Sequence, residues 1–128
     1  MVGSVPAGRA VVLDTNIVID CLKSAPEALA CLASLSDVAV SVATRIEVLG
    51  GAKTPEADRL ARDLLSGWLE LPLDDLTVEF AVQLRRLSRM KLADSIILAS
   101  ARRHGRLLLT RDEDDLAGRT GVIVPYTL

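Results

Sequence analysis

The stretch Val11–Asp20, "VVLDTNIVID", decides how the chain is read. Val11, Val12 and Leu13 form a short apolar run suited to a buried strand, and then Asp14, Thr15 and Asn16 arrive together before the apolar pattern resumes. A carboxylate where a strand gives way to a helix has two readings. It can cap the helix through a side-chain oxygen, or it can aim a charge into a cleft at the end of a sheet. What else could share that cleft decides between them.

Working outward, the chain alternates. "AVVLD" and "VAVSV" read as strands, "WLELPL" as a weaker third, "RLLLT" (Arg106–Thr110) as a fourth, and "GVIVPY" as a fifth at an edge. Helical patterns fall between them: "NIVIDCLKS", "PEALACLASL", "ATRIEVLGGA", "TPEADRLARDLLSG", "DLTVEFAVQLRRLSRM" and "ADSIILASARRHG". Pro26 suits a helix start, Thr54 and Pro55 form a cap and first helical position, and Gly50–Gly51 and Gly105 mark helix ends. Leu60, Leu64 and Leu65 are expected on one apolar side of their helix. Strands separated by helices predict a three-layer α/β/α fold around a central parallel sheet of four to five strands.

Composition agrees with one domain spanning residues 1–128, with residues 1–8 as a loose tail. Half of the residues are apolar, yet Trp68, Tyr126 and Phe80 are the only aromatics, so the core must be aliphatic. No uncharged run has transmembrane length, and "MVGSVPAGRA" lacks a signal-peptide apolar region. A cytoplasmic protein with no membrane partner is expected. Cys21 and Cys31 then read as free thiols in a reducing compartment. The net charge of −2 announces no polyanionic partner, but the charge is uneven. Arg85, Arg86, Arg89, Lys91, Arg102, Arg103 and Arg106 crowd one segment whose only acid is Asp94. Beside an acidic cleft, such a rim could hold a nucleic acid by its phosphates.

Open α/β sheets bind ligands at the carboxyl ends of their strands. Asp14 ends the first strand, Glu47 follows the second, Asp112 follows the fourth, and Asp94 opens the helix that feeds the fourth. Four carboxylates could therefore converge. Crowded acids resist ionisation unless a cation joins them, and oxygen ligands without His or Cys suit Mg²⁺ or Mn²⁺. The chemistry expected is attack of a metal-activated water on a phosphodiester, with the metal stabilising the leaving oxygen. His104 is the only histidine, which excludes a two-histidine ribonuclease, and its place in "RRHGR" at a helix end suits a cationic cap. No Walker or Rossmann glycine loop is present.

The blocks "VVLDTNIVID", "SVATRIEVLGG", "MKLADSIILASARRHG" and "LLLTRDEDDL" occur in the order and spacing of a PIN domain, and from about Val11 to Val124 the chain resembles the VapC-type toxins of type II (VapBC) toxin–antitoxin systems. The resemblance implies a Mg²⁺-dependent endoribonuclease, with Mn²⁺ as a substitute. It matches Asp14, Glu47, Asp94 and Asp112 to the family's four acids, with Asp14 and Asp94 as direct metal ligands. Thr15, Asn16, Thr110 and Asp115 become supporting hydrogen-bond partners. Independently of the resemblance, Arg89 and Lys91 are candidate RNA contacts, because they lie near the cleft mouth if the Asp94 helix begins there. The resemblance also implies a VapB-type antitoxin that covers the site, a homodimer, and a larger complex held on operator DNA through the antitoxin. The last block commonly ends in an acid followed by Phe and here reads Asp115–Leu116, which leaves open how Asp112 and Asp115 divide the last role.

Plain alternatives exist for each acid: Asp14 as a cap, Asp94 at a helix's positive end, Glu47 paired with Arg45 or Arg59, and Asp112 to Asp115 as a solvated acidic turn, the reading kept for Asp114. Asp20 has no assigned role. At the level of function, the alternatives are a housekeeping PIN nuclease in RNA processing and a non-catalytic PIN-like module. A phosphorylation receiver fits poorly, since no second acid stands beside Asp14.

Overall fold

The computed structural model describes residues 1–112 and 114–128. Its strands are β1 (Val11–Leu13), β2 (Val38–Ser41), β3 (Leu69–Leu71), β4 (Leu107–Leu109) and β5 (Val122–Ile123). Its helices are α1 (Thr15–Leu22), α2 (Pro26–Ala33), α3 (Val42–Gly51), α4 (Pro55–Ser66), α5 (Asp75–Leu87) and α6 (Leu92–Arg103). All strand pairs are parallel, in the order β3-β2-β1-β4-β5. The two weakest strands of the sequence, β3 and β5, are the two edges.

Side-chain alternation along β1 builds the layers. Val11 and Leu13 face a cluster with Ile17 and Val18 of α1, Ala28 of α2, Val48 of α3, and Ala61 and Leu65 of α4. Val12 faces the other cluster, with Ile97, Leu98 and Ala101 of α6 and Leu116. Helices therefore cover both faces, as a parallel sheet requires. Leu116, which replaces the Phe common at this point of the motif, is fully buried and fills its place in the core.

The chain order fixes where a cleft can form. From β1 it steps to β2 and β3 on one side, then crosses back to lay β4 on the other side of β1. Connections leave β1 and β4 in opposite directions, so the carboxyl ends of these two strands flank the switch point of the sheet. Asp14 and Thr110 are the residues directly after them.

Some boundaries differ from expectation. The basic helix stops at Leu87 rather than running to Met90, because Ser88 is extended. Gly50 and Gly51 lie inside the last turn of α3, with Ala52 as its cap. Leu60 is 53% exposed, whereas Ala61 and Leu65 carry the buried side of α4. The N-terminal segment runs beside β5, where Gly3 N donates to Val124 O (2.8 Å) and Val5 packs on the core. Cys21 and Cys31 are free thiols. Among the described residues, no helix is long and apolar enough to cross a membrane.

Candidate active site

Asp14 answers both readings of its position. It is the N-cap of α1, with Oδ1 accepting from Thr15 N at 2.8 Å. It is also 95% buried at the switch point, with Oδ2 accepting from the Thr110 hydroxyl at 2.6 Å. Burial pushes the Asp14 carboxyl above its ordinary value. The bonds from Thr110 and Thr15 oppose that shift, and the nearby charges of Asp112 and Glu47 add to it.

The other acids arrive from separate elements. Asp94 stands in the first turn of α6, and Asp112 and Asp115 follow β4. Carboxylate oxygens of Asp94, Asp112 and Asp115 lie within 4.8 Å of one another. Asp94 is raised from 3.8 to about 6, first by desolvation and then by the charges of Asp14, Asp112 and Asp115, while Lys91 works the other way. Asp94, Asp112 and Asp115 thus form a tight group, with Asp14 near enough to feel the charges of both Asp112 and Glu47. Asp115, expected as a supporting partner, stands in the tight group.

Hydroxyls and an amide set the orientation of these acids. The Thr15 hydroxyl donates to Glu47 Oε1 at 2.6 Å and lies 3.2 Å from the hydroxyl of Thr44, which is fully buried. Glu47 is therefore held by α1, and its expected alternative partner Arg45 pairs with Glu70 instead. The Thr110 hydroxyl accepts from Asp112 N at 2.9 Å and from Asn16 Nδ2 at 3.4 Å while donating to Asp14. Asp112 Oδ1 accepts from the backbone N–H groups of Asp114 and Asp115 (2.9 and 3.1 Å), which curls the loop so that Asp112 and Asp115 face Asp94.

The donor set fits a hard divalent cation. It contains only oxygen ligands from the group, and its mutual repulsion is of the kind a bound cation relieves. No His or Cys belongs to the group, so nothing in it favours a soft metal.

The basic rim divides. Lys91 caps α6 without a side-chain bond and is near enough to Asp94 to favour its ionised form. Arg89 is exposed in the short link between α5 and α6. Four other cations of the segment have internal partners: Arg85 with Met90 O (2.7 Å), Arg102 with Thr120 O (2.8 Å), Arg103 with Asp74 (3.7 Å) and Arg106 with Asp37 (2.8 Å). His104 is the C-cap of α6, with Nδ1 2.9 Å from Ser100 O.

Two features were not singled out in the sequence. Thr44 carries no motif signal, since its role depends on α1 and α3 packing side by side. Asp20 is 97% buried, and its carboxylate accepts from Arg111 Nε (2.6 Å), Arg111 Nη2 (2.9 Å) and the Tyr126 hydroxyl (2.7 Å).

A parallel sheet with clustered acids at its switch point defines the class: an α/β domain with an oxygen-only acid group at the carboxyl ends of its central strands. The chain belongs to the PIN-domain family, whose model matches residues 11–120. Among solved structures it is similar to a chain of a toxin–antitoxin complex from Klebsiella pneumoniae, at 36% identity over 93% of this chain and 100% of that one (TM-score 0.87). It is also similar to a member of the VapBC family, VapBC-5 from Mycobacterium tuberculosis, at 26% identity over 96% and 98% of the two chains (TM-score 0.61). The fold recurs in a DNA-bound VapBC from Salmonella typhimurium, at 22% identity over 90% and 96% (TM-score 0.71). No curated protein matches the chain significantly.

Proposed function

We propose that this chain is a metal-dependent endoribonuclease and the toxin of a type II toxin–antitoxin pair. The observation that carries the reading is the acid group of Asp94, Asp112 and Asp115 beside buried Asp14 at the switch point of a PIN domain. Mg²⁺ is the expected ion, with Mn²⁺ as a substitute. Asp14 and Asp94 would hold it directly, Asp14 through oxygen lone pairs not used by Thr15 and Thr110. Asp112 has Oδ1 engaged by the loop and Oδ2 to offer, and Asp112 and Glu47 would complete the pocket through water. When bound, the cation supplies an activated water at neutral pH and positive charge for the departing oxygen of the phosphodiester.

The protein's own residues do the rest. Thr15 orients Glu47, Thr110 orients Asp14, and Asn16 ties α1 to the loop that carries Asp112. Lys91, beside Asp94, and Arg89, exposed in the adjoining link, would grip phosphates next to the cut. The antitoxin partner is supported by the relatives solved as toxin–antitoxin complexes. An apolar groove of about 290 Å³ between α1, α3 and α4, lined in part by Ile19, Val48 and the exposed Leu60, opens beside Glu47 and offers such a partner a seat. A homodimer, and operator binding through the antitoxin, follow on the same reading.

Expressing the chain alone and mapping the 5′ ends of cellular RNA tests the activity and its target together. In vitro, cleavage should stop in EDTA and return with Mg²⁺ or Mn²⁺. Full activity in EDTA would sink the mechanism. A housekeeping PIN nuclease would cut RNA without arresting growth, and no adjoining antitoxin gene would relieve its effects.

A further inference from the structure

The three-way contact of Asp20, Arg111 and Tyr126 is absorbed by none of the roles above. It joins α1, the loop after β4 and the C-terminal segment, around a carboxylate almost wholly shielded from solvent. Arg111 forks both of its bonds onto Asp20, a bidentate geometry that fixes direction as well as distance. Its backbone is held too, since Arg111 N donates to Asn16 Oδ1 at 3.2 Å. Asn16 and Asp20 are four residues apart and so share one face of α1. That face grips Arg111 at its main chain and at its side-chain tip. Burial and the Asp20 carboxylate keep the Tyr126 hydroxyl protonated, which leaves it a donor.

Arg111 is the residue between Thr110, which holds Asp14, and Asp112, which belongs to the acid group. The loop beyond it also carries Asp115, so two of the three acids in the group hang from the point that α1 grips. Like charges push such a loop away from Asp94. The grip opposes that, and it turns the Arg111 charge onto Asp20 rather than into the pocket, where it would compete with a cation. We propose that Asp20 and Arg111, braced by Tyr126, are positioning residues that hold Asp112 and Asp115 in register with Asp94 for binding the divalent cation.

The proposal rests on the metal-site reading above, and its test separates the two. Binding of Mn²⁺ to the full chain is measured by the electron paramagnetic resonance signal of free Mn²⁺, with folding checked by circular dichroism. Arg111→Lys keeps the charge but loses the fork, and should raise the Mn²⁺ concentration for half-saturation by roughly tenfold, the scale typical of outer partners of metal ligands. RNA cleavage by that variant should recover at saturating Mn²⁺, and a variant shown to be fully folded without Mn²⁺ excludes global unfolding as the source of the shift. Tyr126→Phe keeps the fork and should bind Mn²⁺ within about twofold of the parent. Should Arg111→Lys not fold, the double variant Asp20→Asn with Arg111→Gln leaves no charge buried without its partner and carries the same expectation. Parent-like Mn²⁺ binding by a folded fork variant would overturn the positioning role while leaving the metal site standing. A parent chain that binds no Mn²⁺ would overturn both.

Discussion

Asp94 stands in the first turn of α6, where a helix dipole favours a negative charge, yet its carboxyl is pushed up to about 6. Desolvation and three neighbouring acids outweigh both the dipole and Lys91. In the metal-free protein this makes ionised Asp94 a source of instability. Its folded value exceeds the ordinary 3.8, so the folded state holds the extra proton between about pH 4 and 6. Stability from this group is complete below about pH 4 and falls as pH rises through 6. Asp94→Asn should therefore raise the melting temperature of the metal-free protein at pH 7 and leave it nearly unchanged at pH 4. With the group only partly buried, solvent screening limits the gain to about 1 kcal/mol, or roughly 3–5 °C. The same variant, and Asp14→Asn, should lose RNA cleavage while staying folded. A melting temperature that falls at pH 7, or a folded Asp94→Asn that still cuts at the parent rate, would show that the group is not a strained cation site. Asp14, Asp94 and Asp112 stand out as candidates in the sequence because each lies at or near the end of a recognisable strand or helix, whereas Glu47, in the middle of α3, stands out only through its block "TRIEVL". Asp20 does not, because its partners lie 91 and 106 residues away and nothing local marks it.

At the scale of elements, β1, β2 and β4 were legible because buried parallel strands are short, nearly continuous apolar runs, broken here only by Ser41 at the end of β2. The stop of the basic helix at Leu87 was not, since "LSRMK" contains no proline or glycine. The break depends on tertiary packing: Met90 is buried in the α6 cluster, and Arg85 reaches forward to its carbonyl. Nor does sequence separate arginines that brace the fold from those that face solvent. Arg106 has its side chain 11% exposed and bonds Asp37 and Val11 O, which ties the start of β4 to β1 and to the turn before β2. Arg106→Ala should destabilise the fold by about 2 kcal/mol, since it removes charge-assisted bonds at a mostly buried site. Chemical denaturation would read this as a lower midpoint with an unchanged slope. Mn²⁺ binding below the transition should match the parent, because Arg106 lies at the amino end of β4 and the acids follow its carboxyl end. A large loss of Mn²⁺ binding without loss of stability would mean that the two ends of the sheet are not independent.

Over the whole molecule, a net charge of −2 and the gathered charges of Asp14, Glu47, Asp94, Asp112 and Asp115 would repel RNA unless cations stood beside them. Arg85, Arg102, Arg103 and Arg106 have internal partners, and of the remaining Arg86, Arg89 and Lys91 it is Lys91, beside Asp94, and Arg89, in the adjoining link, that precede the helix carrying Asp94 most directly and are the cations proposed for that task. Reversing both to Glu should weaken RNA binding and flatten its salt dependence, by about 0.7 in the log–log slope for each single-strand phosphate that is no longer neutralised. Reversing Arg102 and Arg103 should leave that slope alone and appear instead as reduced stability. The antitoxin provides a contrast within the same protein. A segment that blocks an acidic pocket would bring its own Arg or Lys, which Lys91 and Arg89 repel and the acids attract. The Arg89 and Lys91 reversal should then spare or tighten antitoxin binding while impairing RNA binding and cleavage. Titrations of both partners against parent and variant, at low and high salt, should give slopes that move in opposite directions. Equal weakening for the two partners would place the RNA track elsewhere on the surface, and the acids alone would then have to account for both.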